Sequence, residues 1–123
     1  MSKKIMVVDD SALSRRTLRR ILETAGYTVV EAEDGMAALE LYFIEKPDLV
    51  LLDLVMKGMY GLDVLAKLRE MDPAARVVVA SADIQTSTRV LANEAGARGY
   101  INKPFVAESV LGAVDTVLGG NLG

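Results

Sequence analysis

The stretch IMVVDDSALSRR, residues 5–16, decides the fold. Four apolar residues, Ile5 to Val8, end in two adjacent carboxylates, Asp9 and Asp10, and a helical pattern begins at once. A short apolar run without alternation reads as a strand covered on both faces, the situation in a helix-flanked parallel sheet. The unit recurs along the chain. Strands are expected at Ile5–Val8, Thr28–Ala32, Leu49–Leu52, Arg76–Ala80 and Arg98–Asn102. Helices are expected at Ser11–Ala25, Gly35–Glu45, Gly61–Met71, from about Ile84 to Ala95, and Phe105–Leu118. Gly26, Gly96 and Gly119-Gly120 close helices, and Pro47 and Pro73 follow them, which are ordinary stop signals. Strict alternation of strand and helix predicts an open α/β sheet with right-handed crossovers.

At 123 residues the chain is expected to be one domain, residues 1–123, with enough apolar content for a core. It has no Cys and no His, which removes disulfides, thiolate chemistry, imidazole bases and the usual zinc ligands. A net charge of −3 argues against nucleic-acid binding. Neither a signal peptide nor a membrane span is legible, so the expectation is a soluble cytoplasmic protein. In the first helix Leu13, Thr17, Leu18, Ile21, Leu22 and Ala25 share one half of the helical wheel. Arg15, Arg16, Arg19 and Arg20 share the other, either a solvated face or a basic docking stripe. In the last helix Val106, Val110, Ala113, Val114 and Val117 form a core stripe, which Leu111 and Leu118 widen toward a partner or dimer surface.

Ligands of open α/β sheets sit beyond the carboxyl ends of the strands. Strand 1 delivers Asp9 and Asp10 there, strand 3 Asp53, strand 4 Ser81 and strand 5 Lys103, whereas strand 2 offers only Glu31, Glu33 and Asp34. Each has a bland reading. Asp10 or Ser11 can cap the first helix, Asp53 can bond its own turn, Ser81 can be a small loop residue and Lys103 a surface cation. Those readings predict no common position, yet all fall at the same strand ends. Two carboxylates ~4 Å apart repel by about 4 kcal/mol at an effective dielectric near 20, so the cluster needs cations beyond Lys103. A hard divalent ion is the natural complement, and carboxylates, lysine and hydroxyl around it suit phosphoryl transfer. Without Cys or His, a carboxylate is the plausible nucleophile, forming an aspartyl phosphate.

With VVDDS at 7–11, EAEDGMAALEL at 31–41, DLVLLD at 48–53, VVVASA at 77–82 and GARGYINKPF at 96–105, the whole chain resembles the receiver domain of two-component response regulators. The resemblance implies a flavodoxin-like, five-stranded parallel sheet of order 2-1-3-4-5 flanked by five helices. It implies Asp53 as phosphoacceptor, charged by a sensor histidine kinase or phosphotransfer protein. It implies Mg2+ or Mn2+ on Asp10, Asp53 and the Val55 carbonyl, with Asp9 helping through water. Lys103 would pair with the phosphoryl oxygens ahead of a cis bond to Pro104, Ser81 would be the switch hydroxyl, and Tyr100 the aromatic that turns inward with it. Helix 4, strand 5 and helix 5 would present the switched surface to a downstream effector, in a monomer or a phosphorylation-dependent dimer. Such a protein turns over no external metabolite.

MDPAARVVVASA, and a chain that stops soon after Leu118, make it similar to single-domain chemotaxis regulators. A receiver cut from a longer regulator is the alternative. A haloacid-dehalogenase-type phosphohydrolase is a second, but no Asp-x-Asp follows strand 1. The family's Met-Pro after the phosphoacceptor is here Met56-Lys57, and Tyr60 precedes Gly61 where a small or acidic residue is usual. Loop 54–60 is therefore expected to expose Lys57, Met59 and Tyr60. Val55 and Asp83 stand where the family tunes phosphoryl lifetime.

Overall fold

Five strands and five helices alternate through residues 2–82 and 85–119, the residues described by the computed structural model. In chain order they are β1 Lys4–Val8, α1 Ala12–Thr24, β2 Thr28–Ala32, α2 Gly35–Glu45, β3 Leu49–Leu52, α3 Gly61–Met71, β4 Val77–Ser81, α4 Thr86–Glu94, β5 Gly99–Asn102 and α5 Ala107–Gly119. The strands are all parallel, in the flavodoxin-like order β2-β1-β3-β4-β5. Asp83, and Ile84 at the expected start of the fourth helix, lie outside the described residues.

The unbroken apolar runs follow from period two in a sheet covered on both faces. Met6, Val8, Val50, Leu52, Val77 and Val79 point to one face, where α2, α3 and α4 contribute Ala38, Tyr42, Val64, Leu65, Leu68 and Ala92. Ile5, Val7, Leu49, Leu51, Val78 and Ala80 point to the other, beneath Leu18 and Leu22 of α1 and Val110 and Val114 of α5. Capping fixes the helix ends. Ser11 Oγ accepts the Ser14 N–H at 3.2 Å, so Ser11 and not Asp10 caps α1, and Asp34 caps α2 by accepting the Ala37 N–H at 2.8 Å. Gly26 and Gly96 follow their helices at φ +95° and +103°, whereas α2 ends on Lys46, in the left-handed region at φ 46°.

Several surface expectations need correction. Leu13 and Val106 are exposed, because α1 has only just left the strand at Leu13 and Val106 precedes α5, offering its carbonyl to Val110 N. Ala25 is exposed too, at the C-cap. Leu111 and Leu118 pack on the α1–α5 core and add little to an outer surface. The arginine stripe of α1 is half consumed within the chain. Arg15 and Arg19 both pair with Glu31 of β2, and Arg15 Nη1 also donates to the Asp9 carbonyl at 2.7 Å.

Beneath α2, the buried Tyr42 donates its hydroxyl to Asp72 Oδ2 at 2.7 Å. Burial and this bond raise the Tyr42 hydroxyl well above its ordinary range. The Tyr42 hydroxyl first, then the Ala74 N–H, hold Asp72 below its ordinary 3.8. Tyr42→Phe is expected to cost about 1 kcal/mol at neutral pH, the low end for a charged acceptor that faces solvent. A carboxylate with a depressed folded pKa contributes stability that is complete above its unfolded pKa and lost as pH falls through the folded one. The urea midpoints of Tyr42→Phe and the parent should therefore converge below pH 3.8.

Candidate functional site

Parallel register brings the reactive residues together. β1 and β3 pair Val8 with Leu52, so Asp9 and Asp53, the next residue of each, emerge side by side. β4 and β5 pair Ser81 with Asn102, so Lys103 follows beside Ser81, and Lys103 N donates to the Ser81 carbonyl at 3.1 Å. Asp9, Asp53 and Ser81 are the buried polar residues among those described, at 1%, 3% and 1% exposure. Such groups must find partners or cost free energy.

Most of their partners are in place. Asp53 Oδ1 accepts the Val55 N–H at 2.9 Å and the Ser81 hydroxyl, while Oδ2 faces Lys103 Nζ at 3.1 Å. Ser81 Oγ in turn accepts the Leu54 N–H at 3.2 Å. Asp9 Oδ1 accepts the Ser11 N–H at 2.9 Å, an Asx turn that leads into α1. Asp9 Oδ2 is held by the Lys103 ammonium as an ion pair at 3.0 Å and has no other partner among the described residues. Asp10, exposed on the rim, accepts the Lys57 N–H on Oδ2 at 3.2 Å. The bond between Lys103 and Pro104 is cis.

Charge balance at this rim is unequal. One carboxylate oxygen from each of Asp9, Asp10 and Asp53 lies within 4.8 Å of the others. Burial, reinforced by the Asp53 charge, raises the Asp9 carboxyl, against the Ser11 N–H and the Lys103 ammonium. Burial opposes the charge on Lys103 as well, but Asp9 and Asp53 outweigh it and hold the ammonium above its ordinary range. Three acidic groups facing one lysine form a pocket compatible with a hard divalent cation. An open cavity of about 480 Å³ adjoins it, lined by Asp10, Glu33, Asp34, Met36, Lys57 and Met59.

Asp9, Asp10, Asp53, Ser81 and Lys103 converge here. The Val55 side chain is exposed and its amide is tied to Asp53. Tyr100 points away: its hydroxyl donates to the Asn93 side chain and the Arg89 carbonyl, and the Arg89 guanidinium lies 4.5 Å from the ring centroid. Loop 54–60 exposes Lys57 and Tyr60 as expected, but Met59 is half-buried against the α2–α3 core. Two contributions escaped the sequence reading. Glu31 belongs to the arginine pairs, and Gly61 is a packing requirement. A Cβ on Gly61 would lie 2.3 Å from Leu54 Cα and 2.7 Å from the Asp53 carbonyl oxygen. A glycine opening a helix, where it has poor propensity, was the available signal.

The chain belongs to the response regulator receiver domain family, whose match spans residues 5–115, and it is a CheY-like receiver of two-component systems. It is 39% identical over 118 residues to the chemotaxis protein CheY of Halobacterium salinarum, covering 96% of this chain and 98% of that one. Identity to the chemotaxis protein CheY of Bacillus subtilis is 40% over 119 residues, with 96% and 99% covered. The response regulator MprA of Mycobacterium ulcerans is 40% identical over 118 residues, 96% of this chain but 51% of that one. Among solved structures, Vibrio cholerae CheY4 superposes with a TM-score of 0.91 at 27% identity, covering 96% of this chain and 100% of that one. A CheY-like receiver from Methanospirillum hungatei gives 0.93 at 26%, covering 99% and 98%.

Two outcomes follow from this packing. Gly61→Ala should lower the unfolding free energy by about 2–3 kcal/mol, because the new methyl meets backbone that cannot yield without moving Asp53. Asp9→Asn, measured in chelator without divalent ions, should raise the urea midpoint at neutral pH. The Asp9 pKa is raised on folding, so its ionised form weakens the fold, and the gain should vanish as acid protonates Asp9 in the parent.

Proposed function

We propose that Asp53 is the phosphoacceptor of this receiver, and that its phosphorylation changes which partner the surface of α4, β5 and α5 binds. The observation that carries this reading is the constellation of the buried Asp53 and Ser81 with the half-buried Lys103, and the second buried carboxylate, Asp9, paired with the same lysine. The phosphoryl donor is the phosphohistidine of a sensor histidine kinase or a phosphotransfer protein. An Asp53 oxygen forms the new O–P bond while the P–N bond breaks, and its electron pair stays on the donor imidazole. Lys103, already paired with Asp53 Oδ2, accompanies the negative charge as it moves onto the phosphoryl oxygens. The Ser81 hydroxyl exchanges its bond to Asp53 for one to a phosphoryl oxygen. Tyr100 then leaves its tether on α4 and turns inward, which couples the site to the effector surface.

Asp10, Asp53 and the Val55 carbonyl would hold Mg2+ or Mn2+, with Asp9 bound through water, and the oxygen-only donor set suits such an ion. Bound there, it would offset the charge of the carboxylates and of the transferring phosphoryl group. The site serves its own phosphorylation and dephosphorylation and no external substrate. The full-length match to the two chemotaxis relatives favours a cytoplasmic, single-domain regulator of that pathway. The half-length match to MprA favours a second reading, a receiver that controls an attached output.

Acetyl phosphate with Mg2+ is expected to add one phosphoryl group per chain, read by intact-protein mass spectrometry, and chelation should prevent it. Asp53→Asn should abolish the adduct. Labelling that persists in Asp53→Asn, or continuous turnover of a phosphomonoester, would overturn the assignment.

A further inference from the structure

A helix packed on a sheet ordinarily turns a polar face to solvent. α2 does not. It buries Ala38 and Tyr42, yet Met36, Phe43 and Ile44 stand 61%, 72% and 70% exposed on its outer side, with Met71 at the end of α3 beside them at 46%. Glu40 is the exposed charge on this helix, since Glu45 is turned to Lys4 Nζ at 2.8 Å. Two open grooves flank Phe43. One of about 380 Å³ is bounded by Leu39, Ile44 and Met71, and one of about 440 Å³ by Tyr42, Pro47 and Met71. These four side chains present about 500 Å² of apolar surface, near the top of the range for the largest patch on a monomer.

The charges at the two ends of this face are self-complementary. Glu33 precedes α2, Lys46 follows it, both are exposed, and neither forms an ion pair among the described residues. Consider two α2 helices packed antiparallel about a twofold axis that passes between Leu39 and Glu40. Glu33 and Lys46 are equally distant from that point along the chain, and so are Met36 and Phe43. One register therefore sets each Glu33 opposite the second copy's Lys46, and each Met36 against the second copy's Phe43, at the groove beside Met71. The helix dipoles also oppose one another in this arrangement.

We propose that a second copy of this chain covers the α2 face, in an isologous, antiparallel dimer that needs no phosphorylation. Pairing the two patches would bury about 1,000 Å², the low end for a specific interface, so association is weak and concentration-dependent. α2 packs at the β2 edge of the sheet, the end away from β5, so this dimer leaves the surface of α4, β5 and α5 free. Glu40, beside the axis, meets its own twin and weakens the pair.

The test is sedimentation equilibrium of the unphosphorylated chain from micromolar to millimolar concentration. The expected result is a reversible monomer–dimer equilibrium, weakened about tenfold or more by Phe43→Ser and tightened by Glu40→Gln. These positions are exposed, and circular dichroism verifies that each variant is folded. Glu33→Lys and Lys46→Glu should each weaken self-association by opposing like charges. Mixed together, the two variants should pair with each other in preference to themselves, because both cross-contacts become attractive. A monomer mass across the whole range overturns the proposal. So does a dimer indifferent to Phe43→Ser, or charge variants that mix no better than they self-associate.

Discussion

One ammonium serves two buried carboxylates. Lys103 lies 3.0 Å from Asp9 and 3.1 Å from Asp53, at the point where three different strands end. Removing it would leave two buried carboxylates facing each other without a counter-charge, and the two carboxylates in turn raise the Lys103 ammonium above its ordinary range against the cost of burial. The arrangement depends on the register of the sheet. A shift of one residue in β3 or β5 would send Asp53 or Lys103 to the opposite face and leave the others unpaired. What the site requires of the fold, in physical terms, is this alignment of strand ends.

The strands were legible because they are apolar on both faces, a pattern that an antiparallel sheet open to water on one side does not require. Helix ends were legible where a glycine, a proline or a capping side chain stands, as at Ser11, Asp34 and Gly26. Boundaries slipped where no such residue is present. β4 runs one residue past Ala80 because Ser81 still pairs with Asn102, and α5 begins at Ala107 because the chain is still turning away from Pro104. Wheel positions misjudged Leu13 and Val106 for the same reason: helical period assigns a face but not the depth of a helix end.

The composition of the site was also legible, since strand ends are readable and chemistry follows from residue type. Its internal wiring was not. Spacing does not reveal that the Ser81 hydroxyl bridges Asp53 and the Leu54 amide, or that Asp9 and Asp53 share one lysine. Those facts depend on rotamers fixed by neighbours from distant parts of the chain. The pairing of Arg15 and Arg19 with Glu31 is of the same kind, a contact between α1 and β2 that converts an apparent basic surface into an internal brace.

α4 has the slightest anchorage of the five helices. Ala92 is its only fully buried residue, whereas α3 buries Gly61, Val64, Leu65 and Leu68. A buried alanine contributes far less than the ~1.5–3 kcal/mol of a buried leucine, so much of the adhesion of α4 passes through Tyr100 and its bonds to Asn93 and Arg89. Hydrogen bonds worth about 1 kcal/mol each, made or lost at the strand ends, are comparable to what holds α4 in place. The sheet and the other helices are held by larger buried side chains, such as Leu18 and Leu22 of α1 and Val110 and Val114 of α5.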